Sequence, residues 1–444
     1  MASRTKNKFN LMDFVKQKGL EGIVGIYGKE CINDDGTVMS FSDQAAIITH
    51  YLSLRNNDDF IHSYEDKGKA LIELWKEFID NESNGSHELL ASESLCESYL
   101  FNDVYNAPFP PTGHHFTFID LFAGIGGFRM AFQNLGGECV FSSEWDEQAQ
   151  RTYFANYGEV PFGDITKEST KKMIPDGFDI LCAGFPCQAF SLAGKRRGFA
   201  ETRGTLFFDV AEILRRKQPK AFFLENVKGL AIHDKGKTLE TILNTLDEVG
   251  YVVPYPQILN AMYYGVPQHR ERIYIVGFRK DLGIRPLDFT YPKQKTSIPC
   301  WLDVRDKNPV PAKYYLSETY IETLRRHRAR HEAAGHGFGY KIISDNGVAN
   351  AIVCGGMGRE CNLVIDDRQT DLTPTTNIKG EINKEGIRKM TPREWARLQG
   401  YPDSFRIVVS DASAYKQFGN SVAVPAIQAT AEQLLTTLKN KKNL

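Results

Sequence analysis

Between residues 116 and 227, four short apolar runs alternate with three stretches of helical spacing, and this alternation leaves few folds open to the chain. The runs are FTFIDLF, ECVFSSE, DILCAG and KAFFLENV; helices are read from Phe128 to Leu135, from Asp146 to Tyr157 and from Leu206 to Arg216. Strands that alternate with helices in this way imply an α/β fold with a doubly wound parallel sheet. Ligands of such sheets bind beyond the carboxyl ends of the strands, and the polar motifs of this chain are read as following strands.

The flanking sequence is organised differently. Residues 1–105 read as a helical N-terminal extension, with the clearest helix in EDKGKALIELWKEFID, where Leu71, Leu74, Trp75 and Phe78 share one face. NAPFPPTGHH gathers prolines, a glycine and polar residues and reads as a linker, so a new domain is expected near Phe116. Residues 116–295 would form its body. From about 295 to 387 the pattern turns irregular, basic and glycine-rich, as an inserted recognition region would; a domain over 296–390 is expected there. Residues 391–444 would return to the sheet through the helical spacing of QFGNSVAVPAIQATAEQLLTTL.

Bulk composition narrows the partners. The 444 residues carry a formal charge of -1, so nucleic-acid binding has to come from local basic clusters. The eight cysteines include no C-x2-C pair, and MASRTKNKFN is followed by no apolar segment; reduced thiols in the cytoplasm are expected. No run of about 18 apolar residues suggests a membrane span. His327, His331 and His336 lack a cysteine or carboxylate at zinc spacing, so no metal is expected, and phosphate-facing or surface histidines are preferred.

The chemistry concentrates at four places. DILCAGFPCQAFS delivers Cys187, behind Pro186, into a proline-stiffened loop where a nucleophile would sit; an inert buried thiol is the plainer alternative. Asp120 to Gly127 make a close-approach glycine turn. A dinucleotide fingerprint would require glycine at Arg129, which argues against a nicotinamide cofactor. The next strand ends at Glu144-Trp145, a carboxylate for ribose hydroxyls and an indole for a base, and Gly163-Asp164-Ile165 offers an acceptor for an exocyclic amine; together they describe an adenosine pocket. Glu225-Asn226-Val227 and Gln268 to Arg272 supply further polar groups, readable singly as a strand-end cap and a solvated edge.

In order along the chain, DLFAGIGGFR, EWD, GDIT, GFPCQAFS, ENV, QxRxR, RKMTPREWARLQGYPDSF and QFGNSVAVPA resemble the motifs of the bacterial cytosine-5 DNA methyltransferases of restriction-modification systems. The resemblance runs from Phe116 to the end. It implies S-adenosylmethionine as methyl donor, with Phe122, Gly124, Gly126, Glu144, Trp145, Asp164, Ile165, Asn420 and Val422 at the cofactor positions. The Phe122 ring would stack on adenine or simply pack in the core. Cys187 would add to carbon 6 of cytosine, Glu225 would hold ring nitrogen 3, Arg272 the carbonyl oxygen, Arg270 would support them, and Asn226 would brace the Pro186-Cys187 loop. Amino-methylating relatives carry a D/N-P-P-Y/F/W motif where this chain has Gly184-Phe185-Pro186-Cys187.

A cytosine in a duplex hides carbon 6, so the base must swing out. SLAGKRRGFAETRG would close behind it, with Gln188, Ser191, Lys195, Arg196, Arg197 and Arg203 at the DNA, joined by Gln268 and by Arg359 of CGGMGRECNLVIDD. LRRHRARHEAAGHGFGYK, with Arg325, Arg326, Arg328 and Arg330, would meet the phosphate backbone. The implied partners are double-stranded DNA and a cognate endonuclease without a stable complex, with the chain a monomer. RNA methylation and non-catalytic nucleic-acid binding stand as alternatives; the intact Pro186-Cys187, Glu225 and Arg272 speak against the second. Residues 1–105 show no recognition-helix signature for a repressor and serve equally as a packing, DNA-clamping or partner-binding extension.

Overall fold

The structure, a computed structural model, describes residues 37, 39–82, 106–111, 113–186, 206–336, 339–354, 359–375, 378 and 380–443. The chain divides into two compact units, Met1–Phe222 and Phe223–Leu444.

The first unit is built on parallel strands. Strand β1 (Phe116–Leu121) pairs in parallel with β2 (Gly137–Ser143) on one side and β3 (Ile180–Gly184) on the other. All but the ends of these strands are buried, as the near-continuous apolar runs require of strands covered on both faces. Ala221, opening β4 (Ala221–Val227), donates its N–H to Asp179 just ahead of β3 at 3.1 Å. The intervening helices fall where the spacing places them. Helices α1 (Phe41–Ser53) and α2 (Glu65–Glu82) precede the sheet, and α3 (Gly127–Gln133), α4 (Glu147–Tyr157) and α5 (Leu206–Lys217) join its strands. Asp146 caps α4, accepting from the N–H groups of Gln148 and Ala149, and Gly158 ends it at φ 69°.

The N-terminal helices are part of this unit. Leu71 and Trp75 of the expected apolar stripe are buried, with Leu74 half-buried and Phe78 in the same helix. The Tyr64 hydroxyl donates to the Val140 carbonyl of β2 at 3.0 Å, and the Thr49 hydroxyl accepts from Val160 N–H at 2.9 Å. The proline-rich segment read as a linker is fastened as well. Phe109 N–H donates to Asn156 O, and the Gln133 amide donates to the carbonyls of Phe109 and Pro110.

In the second unit β4 continues, and the strand order runs β4, β8 (Glu271–Arg279), β5 (Tyr251–Val252), with β6 (Gln257–Asn260) also on β8; both β5 and β6 are antiparallel to it. Helix α6 (Lys237–Glu248) leads into β5. A two-residue strand, β7 (Gln268–His269), pairs with β9 (Ala349–Asn350), and β10 (Leu363–Ile365) pairs with β11 (Ile387–Lys389). The stretch expected to be irregular holds a sixteen-residue helix, α7 (Glu318–Ala333), capped by Ser317. Only Ile321 and Leu324 of α7 are buried, too sparse a stripe to register as helical period. They join Leu316, Leu363 and Ile387 in a small core. The chain closes through α8 (Pro392–Leu398), α9 (Asp411–Asn420) and α10 (Val424–Asn440), the last as expected from spacing.

Candidate active site

In the first unit the sheet's carboxyl edge is shaped by backbone conformations that few residues tolerate. Phe122 sits at φ 55°, in the left-handed region that a bulky residue enters only under constraint, and Gly124 follows at φ 56°. At Gly126, φ 82°, an added Cβ would lie 2.2 Å from the Tyr157 ring, so this position is glycine for space as well as conformation. Gly124 is different. A Cβ there would meet nothing within 4 Å, which leaves open room over the turn.

The carboxylate at the end of β2 belongs to this turn. Glu144 is buried; one oxygen accepts from Gly124 N–H and the other from Asp146 N–H, both at 2.8 Å. Burial raises its pKa while those two N–H groups pull it down. Phe162 extends β2 by a parallel bridge to Ser143, and Glu144 N–H donates to Phe162 O at 2.8 Å. That bridge sets Gly163, Asp164 and Ile165 alongside Glu144. Asp164 spends one oxygen, Oδ1, on the N–H and hydroxyl of Thr166, and among the described residues Oδ2 takes no hydrogen bond. Trp145 is 76% exposed, whereas Ile165 is buried. An open glycine turn, an uncommitted carboxylate oxygen and an exposed indole together suit a nucleoside.

Asp120, which opens the glycine turn and was given no role of its own from sequence, is enclosed near the end of β1. Burial pushes its pKa up to about 8 against the pull of Arg129. Arg129 itself, the residue that breaks a dinucleotide fingerprint, is fully buried and pairs with Glu159 at 2.7 Å.

In the second unit the neighbouring strands β4 and β8 present Glu225 and Arg272 to each other, Oε1 to Nε at 3.2 Å. Burial raises the Glu225 pKa, opposed by Arg272 and then Arg270. Arg272 Nη1 donates to the Glu271 carbonyl at 2.8 Å, and among the described residues Nη2 has no acceptor. Asn226 is buried and its Oδ1 accepts from Val227 N–H at 2.8 Å.

Gln268 lies inside β7 and Arg270 is the single residue between β7 and β8, and both are buried. Expected at DNA, the Gln268 amide donates to Leu398 O at 2.8 Å and accepts from Ile352 N–H at 3.0 Å, so its polar atoms face inward. Arg270 donates to Ile352 O at 3.0 Å and Ser421 O at 2.5 Å. Gln399, bonded to Gln268, donates to the carbonyls of Phe418 and Ser421. These side chains hold the segment that carries Asn420, which is exposed, and Val422, which is buried. Gly419 completes the fit, since a Cβ there would lie 2.6 Å from Cys354 N. Gln399 was missed from sequence because a glutamine at the end of a helix looks like surface.

Pro186 is exposed at the end of the segment after β3. Cys187, Gln188, Ser191, Lys195, Arg196, Arg197 and Arg203 lie outside the described residues. Arg359 is exposed, with its guanidinium 5.4 Å from the Tyr415 ring centroid. On α7, Arg325 pairs with Glu385 and Arg328 with Glu332, while Arg326 and Arg330 are exposed without an ion pair among the described residues.

Comparison with solved structures gives the fold. The S. pombe Dnmt2 methyltransferase matches at TM-score 0.53 and 18% identity, covering 73% of this chain and 99% of that one. That likeness shows the fold, the Rossmann-like sheet of S-adenosylmethionine-dependent methyltransferases. The C-5 cytosine-specific DNA methylase family matches residues 116–436, and the chain belongs to it. The Type II methyltransferase M.HpaII of Haemophilus parainfluenzae is 68% identical over 352 residues, 79% of this chain and 97% of that protein. M.HhaI of Haemophilus parahaemolyticus is 43% identical over 334 residues, 73% of this chain and 95% of that protein. The chain is thus a methyltransferase of the restriction-modification type, as its motifs led one to expect.

Proposed function

We propose that the chain methylates carbon 5 of a flipped-out cytosine in a specific duplex DNA sequence, with Cys187 as nucleophile and Glu225 and Arg272 as the groups that hold the base. The observation that carries the residue assignments is the pair of the buried Glu225 with the half-buried Arg272 at 3.2 Å. Burial raises the Glu225 pKa and so favours the protonated carboxyl that gives its proton to ring nitrogen 3, and Nη2 of Arg272, without an acceptor among the described residues, donates to the ring carbonyl oxygen. Drawing charge from the ring lets the Cys187 thiolate add to carbon 6. A thiol is only a few per cent ionised at neutrality, so the loop has to favour the anion or pass its proton onward. Bound S-adenosylmethionine supplies an electrophilic methyl group to carbon 5 without needing a metal. S-adenosylhomocysteine is the leaving group; water then takes the carbon-5 proton, ring nitrogen 3 returns its proton to Glu225, the carbon-6 to sulfur bond breaks, and the thiolate is restored.

Glu144, Trp145, Asp164 and Ile165, with Phe122, Gly124 and Gly126 at the turn, are the residues we assign to the cofactor, together with Asn420 and Val422. Asn226 and Pro186 would support the nucleophile loop. Arg270 and Gln268 are assigned as internal braces. Residues 191–204, Arg359 and residues 296–390 would meet DNA. The Type II names of the relatives favour duplex DNA over RNA or a non-catalytic role. A monomer acting in the cytoplasm, beside an endonuclease of the same sequence specificity and without a stable complex, completes the reading. Among the described residues no helix is long and apolar enough to cross a membrane.

Transfer of labelled methyl from S-adenosylmethionine to mixed-sequence duplex DNA, followed by bisulfite sequencing, tests this directly. A signal at cytosine carbon 5 that disappears in Cys187→Ser is expected. Cysteine-independent transfer, or transfer to RNA alone, would overturn the proposal.

A further inference from the structure

The family match begins at residue 116, yet helix α1, more than sixty residues earlier, reaches the backbone beside both carboxylates of the proposed cofactor pocket, at Gly163 directly and at Glu144 through Gln150. Its first turn carries Ser42 and Asp43. Asp43 Oδ1 accepts from Gly163 N–H at 3.3 Å, the residue immediately before Asp164. The other oxygen, Oδ2, accepts from the Ser40 hydroxyl at 2.7 Å, and Asp43 N–H donates back to that hydroxyl at 3.1 Å, which fixes the carboxylate on the helix end. Ser42 donates its hydroxyl to Gln150 Oε1 at 3.1 Å, and the Gln150 amide in turn donates to the carbonyl of Glu144 at 2.6 Å and of Pro161 at 3.3 Å. One helical turn thus ties down the backbone on both sides of the Ser143–Phe162 bridge.

We propose that Ser42 and Asp43 are positioning residues for the cofactor, making the N-terminal extension a working part of the pocket that grips Glu144 and Asp164. The inference rests on the assignment of those two carboxylates to the adenosine. The rest of α1 holds the arrangement in place. Its buried residues Ala45, Ala46, Ile47 and Ile48 anchor α1, so the first turn cannot drift from the loop it holds. A packing role alone would predict that these polar side chains matter only for stability. A positioning role predicts that they set affinity for the cofactor at an unchanged chemical step.

The test uses the full chain. Calorimetric affinity for S-adenosylhomocysteine is measured beside KM for S-adenosylmethionine, kcat and melting temperature, in Asp43→Ala, Ser42→Ala, Asp43→Asn and Glu144→Ala. Loss of one hydrogen bond should weaken S-adenosylhomocysteine about fivefold in Asp43→Ala and in Ser42→Ala, with KM rising in step and kcat at saturating cofactor held within about twofold. Asp43→Asn keeps an oxygen for Gly163 and should restore wild-type affinity. Should Asp43→Ala fail to fold, Ser42→Ala against Asp43→Asn decides. Unchanged affinity in Ser42→Ala and Asp43→Ala while Glu144→Ala binds poorly would overturn the positioning role and leave the pocket standing. Unchanged affinity in Glu144→Ala would overturn the pocket itself, and the proposal with it.

Discussion

At the scale of single residues, the second unit separates groups that act from groups that hold. Glu225→Ala removes the carboxylate that pairs with Arg272, and kcat should fall by about 10²–10⁴, the range for a positioned proton donor. S-adenosylhomocysteine affinity, measured in parallel, should stay near wild type. Gln268→Ala has a different expected signature. It leaves Leu398 O and Ile352 N–H buried without their partner, which costs about 1–3 kcal/mol of stability, read as a lower urea midpoint. The salt dependence of DNA binding should not change, because no phosphate contact is lost. A reduced salt slope would return Gln268 to the DNA. The motif QxRxR was legible as a site, but not which of its members face inward. Residue order along two short strands does not tell which side chains find backbone carbonyls from the distant 352 and 421 segments.

At the scale of elements, sequence spacing located the strands β1 to β4 and the helices between them to within a few residues, because each has an apolar face of clear period. It was silent where an element is held by polar groups. Helix α7 buries two residues, and β11 is fixed by a charge. Arg388 of β11 is fully buried and pairs with Glu394 of α8 at 2.8 Å and with Asp366, just after β10, at 3.0 Å. Burial tends to raise the Asp366 pKa, yet Arg368 and Arg388 together hold it at about 2. Thr391 and Glu394 close a capping box at the start of α8, so the same carboxylate serves the helix end and the arginine. Arg388→Met would leave Glu394 buried without its charged partner and Asp366 with Arg368 alone. A loss of about 3–5 kcal/mol is expected, which denaturant titration of the whole chain would detect. Arg388→Lys should recover only part of it, since one ammonium cannot reach both partners with a planar fork.

At the scale of the molecule, the extension and the catalytic sheet share one buried charge cluster, and that sharing gives the fold a pH signature of its own. His50 of α1 lies 3.2 Å from Glu159, which Arg129 pairs at 2.7 Å and the Ser142 hydroxyl meets at 2.9 Å. Nδ1 of His50 faces the Ala46 carbonyl at 2.8 Å, and the rings of Tyr64, Phe141 and Phe162 surround it. Burial lowers the His50 pKa below its ordinary 6.5, with Glu159 opposing and Arg129 adding to the effect. The folded chain therefore takes up a proton at His50 less readily than the unfolded chain. Stability from this residue is complete above pH 6.5 and declines as the pH falls through that value toward the lowered one. The carboxyl group of Asp120 moves the opposite way. The raised pKa of Asp120 favours the folded state as acid is added, so the total profile mixes signs. The difference between wild type and His50→Gln isolates the histidine, because every other group titrates in both. Melting temperatures taken from pH 7.5 to 5 should show the wild type losing ground against His50→Gln as the solution becomes more acid. A constant gap would mean that His50 titrates alike folded and unfolded, and that α1 does not stay packed against Glu159 in solution.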